Sequence, residues 1–202
     1  THPSLSFVRS QPIWWLGALA ILAWAWSGAW FNPSQLNDSW EQLVWAQSFE
    51  WGYWKHPPLT TWLMASLQRY WGPSAIWPYF LGGVCAVITL YGVYRLALVL
   101  LPIESVNWVV LLFTLNNGFT RRAQVFNHNS VLVALMALLA WRLAVALISG
   151  RAKDWIWVGL LAGFGLITKY QALMPIAFLG LMVVLVWACL LYTSPSPRDL
   201  ST

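Results

Sequence analysis

Apolar residues come in long runs along this chain, and the polar positions collect in the gaps between them. The first run, Ile13 to Phe31, carries no charged side chain. At 1.5 Å per residue it can cross a hydrocarbon layer of about 30 Å. Asn32-Pro33 ends it, because proline disfavours helix at the residue before it. A second run extends from about Ile76 to Leu101 and is closed by Pro102; a third, about Ser105 to Phe119, is short and carries Asn116-Asn117. A polar connection, Thr120 to Ser130, leads to a fourth run, Val131 to Ser149, with Arg142 inside it. After Gly150 to Asp154, read as a plain solvent loop, Trp155 to Tyr192 is almost continuously apolar. As one helix that stretch would be about 57 Å long, and a lysine at the bilayer centre is costly. It is therefore expected to be two spans with Lys169 at the surface between them. The pattern predicts an all-α fold, a polytopic transmembrane helical bundle of about six spans. The first run is too long for a signal-peptide core and lacks a small-residue cleavage site, so it is expected to remain as an anchor.

The longest polar interruption separates the first two spans and covers residues 32–73. Asp38 opens a short helix in which Trp40, Leu43, Val44 and Phe49 recur at roughly helical spacing, and Gly52-Tyr53 breaks it. Pro57-Pro58 starts a second amphipathic stretch through Tyr70, stopped by Gly72-Pro73. Neither is long enough to cross a bilayer, so both are expected to be interfacial helices in one structured outer loop. Asp38, Glu41, Glu50, Lys55 and His56 lie among five tryptophans and tyrosines, the residues that anchor at membrane surfaces.

Composition sharpens this picture. Of 202 residues, 59% are hydrophobic and 8% charged, against about 25% charged in a soluble domain. The net charge of +5 is spread singly between apolar runs, which excludes a nucleic-acid binder. Two cysteines provide neither a disulfide framework nor a metal spacing. Counting spans with Arg9 cytoplasmic puts the Asp38 loop, Arg121-Arg122 and Lys169 on one outer face, with Arg95, Arg151 and Lys153 inside. Lys55, Arg69, Arg121, Arg122 and Lys169 then exceed what the positive-inside rule expects outside. Either the topology is inverted or these cations bind something anionic; the second is the preferred reading.

Asp38, Trp45, Gln47, Trp51-Gly52-Tyr53, His56-Pro57-Pro58-Leu59 and Trp62-Leu63 keep an order and spacing that resembles the first outer loop of the polytopic lipid-dependent glycosyltransferases. That group, glycosyltransferase family 39, includes protein O-mannosyltransferases and the bacterial aminoarabinose transferase of lipid A. The stretch GLLAGFGLITKYQALM resembles the family's glycine-rich span running into a Thr-Lys-Tyr turn, and FNHNSVL sits where many members have a Thr-Pro-Asp loop. The resemblance covers roughly Gln11 to Ala188. It implies transfer of a sugar from a polyprenyl-phosphate donor to an acceptor hydroxyl of a lipid, glycan or protein. It further implies a multi-pass protein of the bacterial inner membrane, acting on its periplasmic face.

In such a family the loop aspartate, here Asp38, is the general base that takes the acceptor's proton. A carboxylate suits this, with a reference pKa near 3.9. The leaving lipid phosphate needs cations aimed at its developing charge, and Arg121, Arg122, Lys169 and Lys55 are the candidates. His56, Tyr53, Asn129 and Glu41 are the candidate substrate-pocket residues. The chain departs from the family at Ser39, where many members have Glu, and at Asn129, where others have a second Asp. The sequence requires no metal and leaves a divalent ion open. Plainer readings stand beside these. Asp38 with Glu41 is also a helix-capping pair, His56-Pro57-Pro58 a turn and helix start, Arg121-Arg122 a snorkelling pair and Lys169 an interhelical stop. Glu50, Glu104 and Asp154 read as solvated loop charges, and Arg142 as a residue that snorkels or pairs.

Two rivals remain. A transporter or lipid flippase would show inverted repeats and helices broken at the midplane, whereas here no repeat is evident and the polar residues gather at one face. The other is a noncatalytic scaffold subunit. From Cys189 the character changes abruptly, and CLLYTSPSPRD resembles the translation of a sequencing adapter. Residues 1–188 are accordingly read as the N-terminal part of a transferase domain, inactive alone, and 189–202 as a non-native tail.

Overall fold

The computed structural model describes residues 11–32 and 37–193. The part of the tail at 194–202 lies outside the described residues, as does Arg9. Every regular element described is helical: α1 (Gln11–Phe31), α2 (Asn37–Trp45), α3 (Leu59–Trp71), α4 (Trp77–Leu100), α5 (Ile103–Leu115), α6 (Asn117–Arg122), α7 (His128–Ser149), α8 (Ala152–Leu166), a 3-10 turn (Tyr170–Ala172) and α9 (Leu173–Thr193). The all-α, membrane-spanning architecture read from the apolar runs is the one observed. Among the described residues four helices, α1, α4, α7 and α9, are long and apolar enough to cross a membrane. Helices α5 and α8 have 13 and 15 residues, short of the roughly 20 that a span needs.

Helices α4 and α7 form the central pair, with α1 and α5 against α4 and α8 against α7. Close approach depends on Gly92: a Cβ there would lie 2.8 Å from the Ala137 backbone of α7. Small residues at helix contacts serve this purpose where lipid supplies no hydrophobic drive between helices. Gly82 does the same one level nearer the site, where a Cβ would lie 2.7 Å from the Ala123 carbonyl oxygen. The outward faces stay apolar, as Leu19, Trp157 and Phe178 show.

Several boundaries differ from the sequence reading. The third apolar run is not one helix. Asn116 leaves the helical region and its side chain accepts from the Phe119 N–H, so α5 stops and α6 starts. The connection Thr120 to Ser130 is helical at both ends, leaving 123–127 as the link, because α6 carries Arg121 and Arg122 in its last turn and α7 begins at His128. Helix α2 ends at Trp45 rather than Phe49. The Tyr53 hydroxyl donates to the Ser48 carbonyl at 2.7 Å and accepts from the Glu50 N–H, which folds the chain into a turn where the helix would have continued. Trp155 to Tyr192 divides at Lys169, as its length demanded.

Asp154 corrects the sequence reading outright. It is not a solvated loop charge: it is 3% exposed, in the first turn of α8. It accepts from Arg142 Nη2 at 2.5 Å and from Ser149 Oγ at 2.6 Å, with Arg151 Nε 3.4 Å away. A carboxylate this buried persists because it is paired and fully hydrogen-bonded, and the aspartate also suits the helix's positive end. Arg142 pairs, as one of its two readings had it.

Candidate active site

The opposite end of α7 collects the polar residues of the first loop. Helix α7 starts with a capping box: Asn127 Oδ1 accepts from the Asn129 and Ser130 N–H groups at 2.9 and 3.1 Å, and Ser130 Oγ accepts from the Asn127 N–H. The amide nitrogen of Asn127 then points away from α7 and donates to Asp38 Oδ2 at 2.8 Å. One residue further along each strand of this contact, the Phe126 N–H donates to the buried Ser39 Oγ at 3.3 Å. The N-termini of α2 and α7 are thus stitched together over two residues, with the Asp38 carboxylate exposed at the edge.

Two cavities meet at Asp38. The larger, of about 550 Å³, runs between α4 and α7 and is walled by Cys85, Ala86, Phe119 and Val133, with Arg122 and Asp38 at its polar end. The smaller, of about 140 Å³, is polar: Asp38, Glu41, Lys55, His56, Asn129 and Lys169 line it with Gln42, Asn127 and His128. Asp38, Asn127 and Asn129 border both.

Around the small cavity the groups are tied together. Lys169 Nζ donates to Asn129 Oδ1 at 2.7 Å. Lys55 and Glu41 form an exposed ion pair at 2.6 Å. His56 packs on His128 with ring centroids 4.0 Å apart, and Trp45 borders both rings. Burial first, and the charge of Lys169 next, hold the His56 imidazole below its usual range, which favours the neutral ring. Behind the rings, Thr61 Oγ1 donates to Gln42 Oε1 at 2.9 Å, leaving the Gln42 amide nitrogen 3.5 Å from His128 Nδ1. The Leu59 N–H donates to the Ile167 carbonyl, which brings the start of α3 against the turn that carries Lys169.

The family described as dolichyl-phosphate-mannose-protein mannosyltransferase matches residues 55–195. The chain belongs to this family. It is therefore a membrane glycosyltransferase by kinship, and the class of donor the family implies is a lipid-linked sugar. The match begins at Lys55, so Asp38 and Glu41 lie upstream of it while His56, Arg122, Asn129 and Lys169 lie within it. Comparison with curated proteins and with solved structures returned no match.

The structure gathers most of the residues picked out in the sequence. Asp38, Glu41, Lys55, His56, Asn129 and Lys169 share the small cavity, and Arg122 joins Asp38 in the large one. Tyr53 lines neither: it stacks on Trp45 and braces the loop backbone. Arg121 lines neither and is exposed beside Arg122. Sequence reasoning missed Asn127, His128, Gln42 and Thr61. The first two lie inside FNHNSVL, and a polar cluster opening an apolar run is a helix-start signal. No local pattern marks Gln42, midway along α2, or Thr61, in the first turn of α3; both are buried.

Proposed function

We propose that this chain carries the donor and base half of a polyprenyl-phosphate sugar transferase, with Asp38 as general base. The observation that supports it best is the position of Asp38, an exposed carboxylate with one neutral partner among the described residues, at the meeting of an apolar cavity and a polar one. An acceptor hydroxyl loses its proton to Asp38 as its oxygen bonds to the anomeric carbon. The bond from that carbon to the phosphate oxygen breaks, and the electron pair leaves with the polyprenyl phosphate. Arg122, at the polar end of a cavity with apolar walls, suits a phosphate whose chain lies between α4 and α7. Lys169, His56, Asn129 and Glu41 suit hydroxyl groups in the small cavity. Lys55 is engaged by Glu41 and has the weaker claim on phosphate, as does Arg121.

The proposed setting is a bacterial inner membrane, with α5 and α6 together and α8 completing about six passes. The Asp38 end faces the periplasm and the Asp154 end the cytoplasm. Single cysteines at Ser48→Cys and Ala152→Cys, in a Cys85→Ala, Cys189→Ser background, test this with an impermeant thiol reagent. Labelling of the first alone fits; labelling of the second alone inverts the assignment. The chemical test is transfer from a polyprenyl-phosphate sugar in liposomes by the full-length transferase that contains this chain. Asp38→Asn keeps the side chain's size but cannot take up a proton. Near-normal transfer by this variant, or loss of transfer only through unfolding, would remove Asp38 from the chemistry.

A further inference from the structure

We infer that Asn127 is the positioning residue of this site, its amide holding the Asp38 carboxylate in one orientation by way of the N-cap of α7. The inference rests on Asp38 being the base. Its geometric part does not depend on which amide atom is called oxygen. Two backbone N–H groups, of Asn129 and Ser130, converge on one atom of the Asn127 amide, and only oxygen can accept from them. The other atom must be the nitrogen, and it faces Asp38 Oδ2 at 2.8 Å. The helix start therefore determines the donor, and the donor determines the carboxylate.

A cap alone does not need asparagine. Serine and aspartate cap as well, but neither can cap through one atom and donate an amide N–H through another. Asparagine does both with one rigid plane. Because Oδ2 accepts from Asn127, the carboxylate's other oxygen is the one that none of the described residues engages. The Ser39–Phe126 contact one residue away keeps the two backbones in register, so Asp38 cannot drift along α7. The other charged or titratable groups around the carboxylate are Arg122 and Cys85 in the large cavity and Glu41, Lys55, His56, His128 and Lys169 in the small one. Among the described residues, Asn127 gives Asp38 its one direct side-chain hydrogen bond.

The test uses the chain's low aspartate count. Only Asp38, Asp154 and Asp199 are present, so ¹³Cγ-aspartate introduced by cell-free synthesis gives three carboxyl resonances, assigned by Asp38→Asn and Asp154→Asn. Asn127→Ser keeps a capping oxygen and loses the amide donor. It should move the Asp38 resonance, leave that of Asp154 in place and keep the melting temperature near that of the parent. Asn127→Asp also caps, but sets a second carboxylate against the first; the two should titrate as a coupled pair in two steps. In transfer assays Asn127→Ser should lower kcat about tenfold or more, since small misplacements of a reacting group are that costly, with KM little changed. An Asp38 resonance that is unaltered in both variants overturns the inference. So does one that moves only when the protein unfolds, with Asn127→Asp as the second capped control. Transfer that survives Asp38→Asn overturns the base reading instead, and the resonances register that failure separately.

Discussion

Asp38 and Asp154 stand at opposite ends of the same helix, α7, and the protein treats them in opposite ways. Asp154 is buried and surrounded by donors: Arg142, Ser149 and Arg151 converge on its two oxygens. Arg142 is itself held over the Trp141 ring, which Arg95 also covers. Asp38 is exposed, has one neutral amide donor among the described residues, and borders two cavities. A buried charge with both oxygens engaged by donors has little left to offer a substrate. An exposed charge with one oxygen that none of the described residues engages, beside a cavity, does. The lesson is that the electrostatic completeness of an acidic site, more than its charge or its neighbours' identity, separates an aspartate that holds the bundle from one fit to accept a proton.

Exchanging the insults should break this contrast if it is wrong. The largest expected effect is on transfer: Asp38→Asn should reduce it by about 10²–10⁴-fold, the usual contribution of general-base catalysis, with a melting temperature close to the parent's. Asp154→Ala should do the reverse in kind. It leaves the partly buried Arg142 guanidinium without its carboxylate, a loss measurable as a lower denaturation midpoint in detergent, while Asp38 stays in place. Destabilisation by Asp38→Asn equal to that by Asp154→Ala would erase the distinction.

Cations at the site end sharpen it further. Arg122→Ala should weaken binding of a short-chain polyprenyl phosphate by about 1.5–3 kcal/mol, the range for a hydrogen bond to a charged group. Arg121→Ala, one residue away but outside both cavities, should change it little; tryptophan-fluorescence titration separates the two. Smaller still is Glu41→Gln, which breaks an exposed ion pair with Lys55. Such pairs contribute about 0–1 kcal/mol, so the midpoint should barely move.

The smallest effect concerns pH. His56 favours its neutral form in the folded protein, because burial and then Lys169 lower its pKa from 6.5. The unfolded chain therefore binds the proton more readily. Stability from this residue is complete above pH 6.5 and declines as pH falls from 6.5 toward the folded-state value. The melting temperature of His56→Gln should fall less steeply than the parent's between pH 7 and 5. A parallel slope would mean that the ring is solvated in the folded protein.

Much of the fold was legible because its signals are local. Apolar runs of membrane length marked α1, α4 and α7, Pro102 and Gly150 marked ends, and bilayer thickness alone required a break at Lys169. The first-loop pattern likewise singled out Asp38 and His56 before any contact was known. What stayed hidden was relational. Asn116 looked like the polar end of a span, and only its side chain's bond to the Phe119 N–H turns it into the start of α6. Tyr53 looked like a pocket residue, and its hydroxyl turned out to close the loop that ends α2.

The sequence by itself determined the long apolar helices α1, α4 and α7, the need for a break within the last apolar stretch, and which charges the first loop carries. Each follows from the hydropathy and helix-breaking tendency of residues a few positions apart. The tertiary structure alone decided which aspartate is satisfied and which is not. Asp154 sits five residues from Ser149 but twelve from Arg142, and Asp38 meets Asn127 across 89 residues. A carboxylate's behaviour depends on the donors within hydrogen-bonding reach, and it is folding that brings those donors there.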